Sequence, residues 1–122
     1  MFVLKNVNPS QRKTDDSLVR ALSLALNITY VEAYKSLAEF GMGQSLSMTD
    51  VRTLRGFLRM LGYNEKILNR NCNVDVFTRQ YAKPNSIYLL RIGKSVTVCI
   101  NRTIYDNYNP KSKIVTSYWR IS

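Results

Sequence analysis

Asp15-Asp16-Ser17-Leu18-Val19-Arg20-Ala21-Leu22-Ser23-Leu24-Ala25-Leu26-Asn27 is the stretch that decides the fold. From Leu18 to Leu26 only Arg20 and Ser23 interrupt the apolar residues, so a helix here is apolar on nearly every side and belongs in the interior. The aspartate pair supplies an N-cap and first-turn acid, which puts Ser17 in the first turn, and Asn27 marks the end.

Downstream, Thr29-Tyr30-Val31-Glu32 reads as a capping box that opens a second helix. Its apolar positions are Val31, Ala33, Tyr34, Leu37, Ala38 and Phe40, and Gly41 is its expected stop. After a loop at 43–47, a third helix is predicted from Thr49, as its cap, to Leu61, closed by Gly62. Val51, Leu54, Phe57, Leu58 and Leu61 point inward in that reading, and Arg52, Arg55 and Arg59 form a basic stripe outward. Val74 to Tyr81 reads as one more short helix, ended by the turn Lys83-Pro84-Asn85-Ser86. The remainder is β in character: Ser86 to Ile92 and Ser95 to Ile100 form a hairpin about Gly93-Lys94, followed by strands at 103–106 and 114–121. Helices followed by an antiparallel meander predict an α+β domain spanning residues 1–122, with a buried central helix packed on a C-terminal antiparallel sheet.

The 122 residues, 45% of them hydrophobic, suffice for one core without staples. No run approaches the ~20 apolar residues of a membrane-spanning helix, and the first residues lack the apolar core of a secretion signal. The expectation is a protein of the cytoplasm, or one packaged from it, without membrane association. Cys72 and Cys99 match no zinc or redox spacing and are expected as free thiols, Cys99 as core filling. The chain contains no histidine to complete a ligand set, so a structural metal is not expected; no cofactor is expected either. Eighteen lysines and arginines against eight acids give a formal charge of +10, which favours acidic partners, protein or nucleic acid.

Three stretches carry a family likeness. Asp16-Ser17-Leu18-Val19-Arg20-Ala21-Leu22 is similar to Asp-Cys-Val-Val-Arg-Ala-Leu; Tyr88 to Val98 is similar to a strand pair in which a histidine follows a glycine; Thr103-Ile104-Tyr105-Asp106-Asn107-Tyr108-Asn109 is similar to apolar-Tyr-Asp-x-Trp-Asp. In this order they resemble papain-like cysteine peptidases, and more narrowly the small phage and bacterial peptidase-like proteins related to bacteriocin-processing peptidases.

The resemblance implies a minimal papain-like fold. It also implies a site made of Gln11 as oxyanion donor, Ser17 in place of the nucleophilic cysteine, Ser95 in place of the histidine, and Asp106 as the acid that orients the ring. Papain-like chemistry needs a thiolate and an imidazole together, and this chain has neither at those positions. The site is therefore expected to be vestigial and the protein to lean away from enzymatic activity. Each residue also has a plain reading: Gln11 as a loop polar residue, Ser17 as a first-turn residue bonding to backbone, Asp106 as a turn former with Asn107 and Asn109. The leading expectation is a phage-encoded, degenerate peptidase homologue that binds an acidic host or viral protein, in the host cytoplasm or in the virion. The alternative is a nucleic-acid-binding protein using Arg52, Arg55 and Arg59, and a third is a hydrolase of unorthodox mechanism.

Overall fold

The structure is a computed structural model and describes residues 1–11 and 15–122. Residues 12–14, part of the stretch between Gln11 and Ser17, lie outside the described residues. The described residues form an α+β fold of four helices and one six-stranded mixed sheet. In chain order these are β1 (Phe2–Leu4), α1 (Ser17–Leu26), α2 (Tyr30–Gly43), α3 (Val51–Met60), β2 (Lys66–Ile67), α4 (Val74–Val76, continued by a π-helical turn at Phe77–Tyr81), β3 (Ile87–Ile92), β4 (Ser95–Ile100), β5 (Thr103–Asp106) and β6 (Ser117–Arg120).

The central helix forms as its composition demands. α1 ends on Asn27 in the left-handed conformation, at φ 54°, which asparagine tolerates better than most residues. Ser17, Leu18, Val19, Arg20, Ala21, Leu22, Ser23 and Ala25 are all buried. Asp16 takes the N-cap position, but its carboxylate makes no capping bond and turns to Arg20 instead. The capping box of α2 is complete, with Thr29 Oγ1 accepting the Glu32 N–H and Glu32 accepting the Thr29 N–H.

α2 runs two residues past the expected stop at Gly41, and its Val31 and Tyr34 face solvent rather than the core. α3 is capped by Asp50, whose carboxylate accepts the Arg52 N–H, and not by Thr49. Leu61, expected inward, lies beyond the end of α3 and is 46% exposed.

The sheet departs most from expectation. Its order is β1-β5-β4-β3-β6-β2. β3 and β4 form the predicted hairpin, with Gly93 supplying φ +70° in the turn. The last strand does not extend a meander: β6 pairs antiparallel with β3, on the far side from β5, and starts at Ser117 rather than Ile114. β1 was not foreseen at all and pairs parallel with β5, so the sheet is mixed.

Both faces of the central strands are covered. Leu89, Val96, Val98 and Trp119 pack with α1, α2 and α3 in one cluster. Tyr88, Leu90, Ile92, Cys99 and Ile104 pack with Cys72, Val74, Phe77 and Val115 in a second. A strand buried on both sides reads as a continuous apolar run rather than an alternation, as Ile87 to Leu90 does. Cys72 and Cys99 are buried free thiols. No described helix is long and apolar enough to cross a membrane.

Candidate functional site

The N-terminus of α1 abuts the start of β4. Across the Gly93-Lys94 turn Ile92 pairs with Ser95. The next pair, Arg91 with Val96, falls on a rung without mutual hydrogen bonds, so the Val96 N–H points away from β3. Its other neighbour, β5, is paired with β4 only as far as Val98. The orphaned amide is taken by Ser17, whose Oγ accepts the Val96 N–H at 3.3 Å. Ser17 is buried, 7% exposed. Ser95, half-buried, adjoins this contact by being next to Val96 in the chain.

Beside it lies a buried charge network. Arg20 donates from Nε to Asp16 Oδ1 at 2.7 Å and from Nη1 to Asp106 Oδ1 at 2.6 Å. Asp16 also accepts from Asn8 Nδ2 at 3.0 Å and from the Tyr30 hydroxyl at 2.9 Å. Asp106 accepts from Thr97 Oγ1 and from the Asn107 N–H, each at 2.7 Å. Burial pulls the Arg20 guanidinium toward deprotonation, but the bonds to Asp16 and Asp106 outweigh it, and its pKa is raised. Both Asp106 oxygens thus accept hydrogen bonds, Oδ1 from Arg20 and Asn107 and Oδ2 from Thr97.

Gln11 does not join this cluster. It is exposed, in a left-handed conformation at φ 56°, and its side-chain amide donates to the carbonyls of Asn6 at 2.9 Å and Asn8 at 2.8 Å. Both amide hydrogens are spent in its own turn, so the oxyanion role gives way to the loop role. The crevice lined by Ser17, Arg20, Val96, Thr97 and Asp106 admits no water-sized sphere.

The second candidate region lies on α3. Arg52, Arg55 and Arg59 come together along one groove, as the stripe predicts, but two of them are paired. Arg52 grips Asp50 at 2.7 Å, and Arg55 Nε reaches Glu65 at 2.6 Å. Asp50 is held down to about 2 by the Arg52 guanidinium and then by the Arg52 N–H. Glu65 also accepts from Ser117 Oγ; burial would raise its pKa, but Arg55 and Ser117 bring it below the ordinary range. Arg59 forms no ion pair among the described residues and is exposed.

No family model, curated protein or solved structure matches this chain.

Of two residues that matter here, one was legible only as an anomaly and the other not at all. Arg20 sits in a helix apolar all round, and an arginine there has to be paired. Glu65 carried no signal, because its partners lie on α3, β3 and β6.

Alkaline pH reports on the packing of both clusters. Burial pushes the Cys99 thiol up to about 11 from 9.0, and burial with the bond to Asp16 pushes the Tyr30 hydroxyl up to about 12 from 10.0. Values raised in the folded state mean that the unfolded chain loses these protons first. The stability they contribute is complete below pH 9.0 and 10.0 respectively, and is lost as pH climbs through about 11 and about 12. Urea midpoints measured across this range should fall steadily. Tyr30→Phe should flatten the upper part of that fall, and an unchanged slope would refute the role given to Tyr30.

Proposed function

We propose that this chain is a catalytically degenerate papain-like peptidase homologue, phage-encoded, that acts by binding an acidic host or viral protein, in the host cytoplasm or in the virion. The observation that carries the reading is the fate of Asp106. The acid that the resemblance assigns to orienting an imidazole is instead neutralised by Arg20 inside a closed crevice. Ser17 lies against the amide next to Ser95, so the nucleophile's and the histidine's places adjoin, but a serine hydroxyl without a base is a poor nucleophile. With chemistry removed, a +10 surface remains as the means of acting on something else.

A protein partner is favoured over nucleic acid because Arg52 and Arg55 are already committed to carboxylates, the chemistry an acidic protein offers. The test joins two measurements. A broad peptide library is incubated with the wild type and with Ser17→Ala, and capture from host lysate is run with and without nuclease. The expected result is no turnover by either protein, and capture of acidic proteins that survives nuclease. Ser17→Ala should lose about 1–3 kcal/mol of stability, because it leaves the buried Val96 N–H without an acceptor. Turnover by the wild type that disappears in Ser17→Ala overturns the reading, as does capture that nuclease abolishes.

A further inference from the structure

We propose that the groove between α2 and α3 is a docking site for an acidic segment of a partner protein, a segment carrying one bulky apolar side chain among its carboxylates. This rests on the reading that the partner is an acidic protein, and names where and how it would bind.

The groove is a shallow, open one of about 550 Å³, in the roughly 300–1,000 Å³ range of ligand-binding clefts. Its floor is built by a close approach. Gly56 lies in α3 against the ring of Phe40, and a Cβ at that position would stand 2.7 Å from Phe40 Cε1 and 2.9 Å from Cζ. Glycine inside a helix costs up to about 1 kcal/mol relative to alanine, and the fold accepts that cost to let the ring lie on the helix backbone. The ring also makes a T-shaped contact with Phe57, at 6.1 Å between centroids. Leu46 and Met60 add apolar surface to the lining. Met60 is 63% exposed, an apolar, flexible thioether left in water, the kind of side chain that adapts to a bound apolar group.

Charge selects what enters. Three guanidinium groups line the groove. Arg52 spends its Nε and Nη2 on Asp50. Arg55 spends only Nε on Glu65, which fixes its stem while its terminal nitrogens make no hydrogen bond within the described residues. Arg59 meets no carboxylate there. An arginine held in place by a second residue loses less freedom when it binds, and the planar guanidinium fork matches a carboxylate. An apolar anchor set in a pocket and ringed by arginines is the layout of an interaction hot spot. Single-stranded nucleic acid suits the groove less well: the lining offers no lysine, and its one aromatic ring already packs against Gly56 and Phe57.

The experiment is a selection of displayed random peptides on the full chain, with anisotropy measurements on fluorescein-labelled winners. Wild-type protein should enrich peptides rich in Asp and Glu around a single Leu, Ile, Met or Phe. Arg59→Glu and Met60→Asp both change exposed side chains, and their thermal melts verify folding. Each should weaken the selected peptides about tenfold, roughly 1.4 kcal/mol. Acidic peptides that bind the two variants as tightly as the wild type overturn the groove and leave the acidic-partner reading standing. Enrichment of neutral or basic peptides, or of none, overturns both.

Discussion

Replacing Arg20 with methionine should remove about 3–5 kcal/mol of folding stability, the usual cost of breaking a buried ion pair by deleting one partner. That is a large share of the roughly 5–15 kcal/mol by which a domain is stable. The size follows from what is left behind. Arg20, Asp16 and Asp106 have side chains 7%, 9% and 3% exposed. Methionine fills much of the volume and supplies no charge, so two carboxylates are stranded out of water. Neutral donors remain: Asn8 and Tyr30 on Asp16, Thr97 and the Asn107 amide on Asp106. None of them carries the positive charge that offsets two buried anions.

The same argument predicts a rescue. Arg20→Met combined with Asp16→Asn and Asp106→Asn should recover a substantial part of the loss, because the stranded charges go with their partner. Urea unfolding followed by tryptophan fluorescence checks both. If Arg20→Met unfolds within 1 kcal/mol of the wild type, the network does not hold α1 to β5 as described. A triple variant no more stable than the single one would place the loss in packing rather than charge.

This network also marks the boundary of what local sequence can say. The C-terminal end of α1 and the start of α2 were legible because the groups that mark them are close in the chain: Asn27 follows Leu26, and Thr29 lies three residues from Glu32. The β3–β4 hairpin was legible for the same reason, with Gly93 inside its own turn. Arg20 and Asp106 are 86 residues apart, and nothing near either one announces the other. Asp106 therefore read as a site acid or a turn former, when it is half of an ion pair.

Strand order fails similarly. β6 follows β5 in the chain but pairs with β3, because Leu89 and Trp119 face the same helices and bury together there. β1 has only three residues, too few for an alternation to show. At α3, Thr49 and Asp50 are both good caps, and which side chain bonds the helix amides is settled in three dimensions. The groove arginines were legible as a stripe, whereas the glycine contact that gives the groove its floor was not.

Trp119→Ala should be the most damaging substitution in the β6 region, at about 3–5 kcal/mol, as for other buried aromatic truncations. Trp119 is the largest fully buried side chain among the described residues, 0% exposed. It packs in the cluster that holds α1, α2 and α3 on the sheet. Its indole Nε1–H has no hydrogen-bond partner among the described residues, and burying such a donor unpaired costs stability. Two opposed terms therefore act at one residue, and substitutions separate them. Alanine removes the apolar contacts and leaves a cavity, whereas phenylalanine keeps much of the contact area and deletes the unpaired donor. Trp119→Phe should accordingly cost less than half of what Trp119→Ala costs.

The effect should reach the groove. Ser117, two residues earlier on the same face of β6, bonds Glu65, which in turn holds Arg55. Loosening β6 should thus free Arg55 and weaken acidic peptides on Trp119→Ala even where it remains folded, while Trp119→Phe keeps the wild-type affinity. Circular dichroism must follow unfolding here, since the chain has one tryptophan. Equal losses for the two variants would show that the indole N–H is satisfied in solution, and unchanged peptide affinity in folded Trp119→Ala would separate the groove from β6.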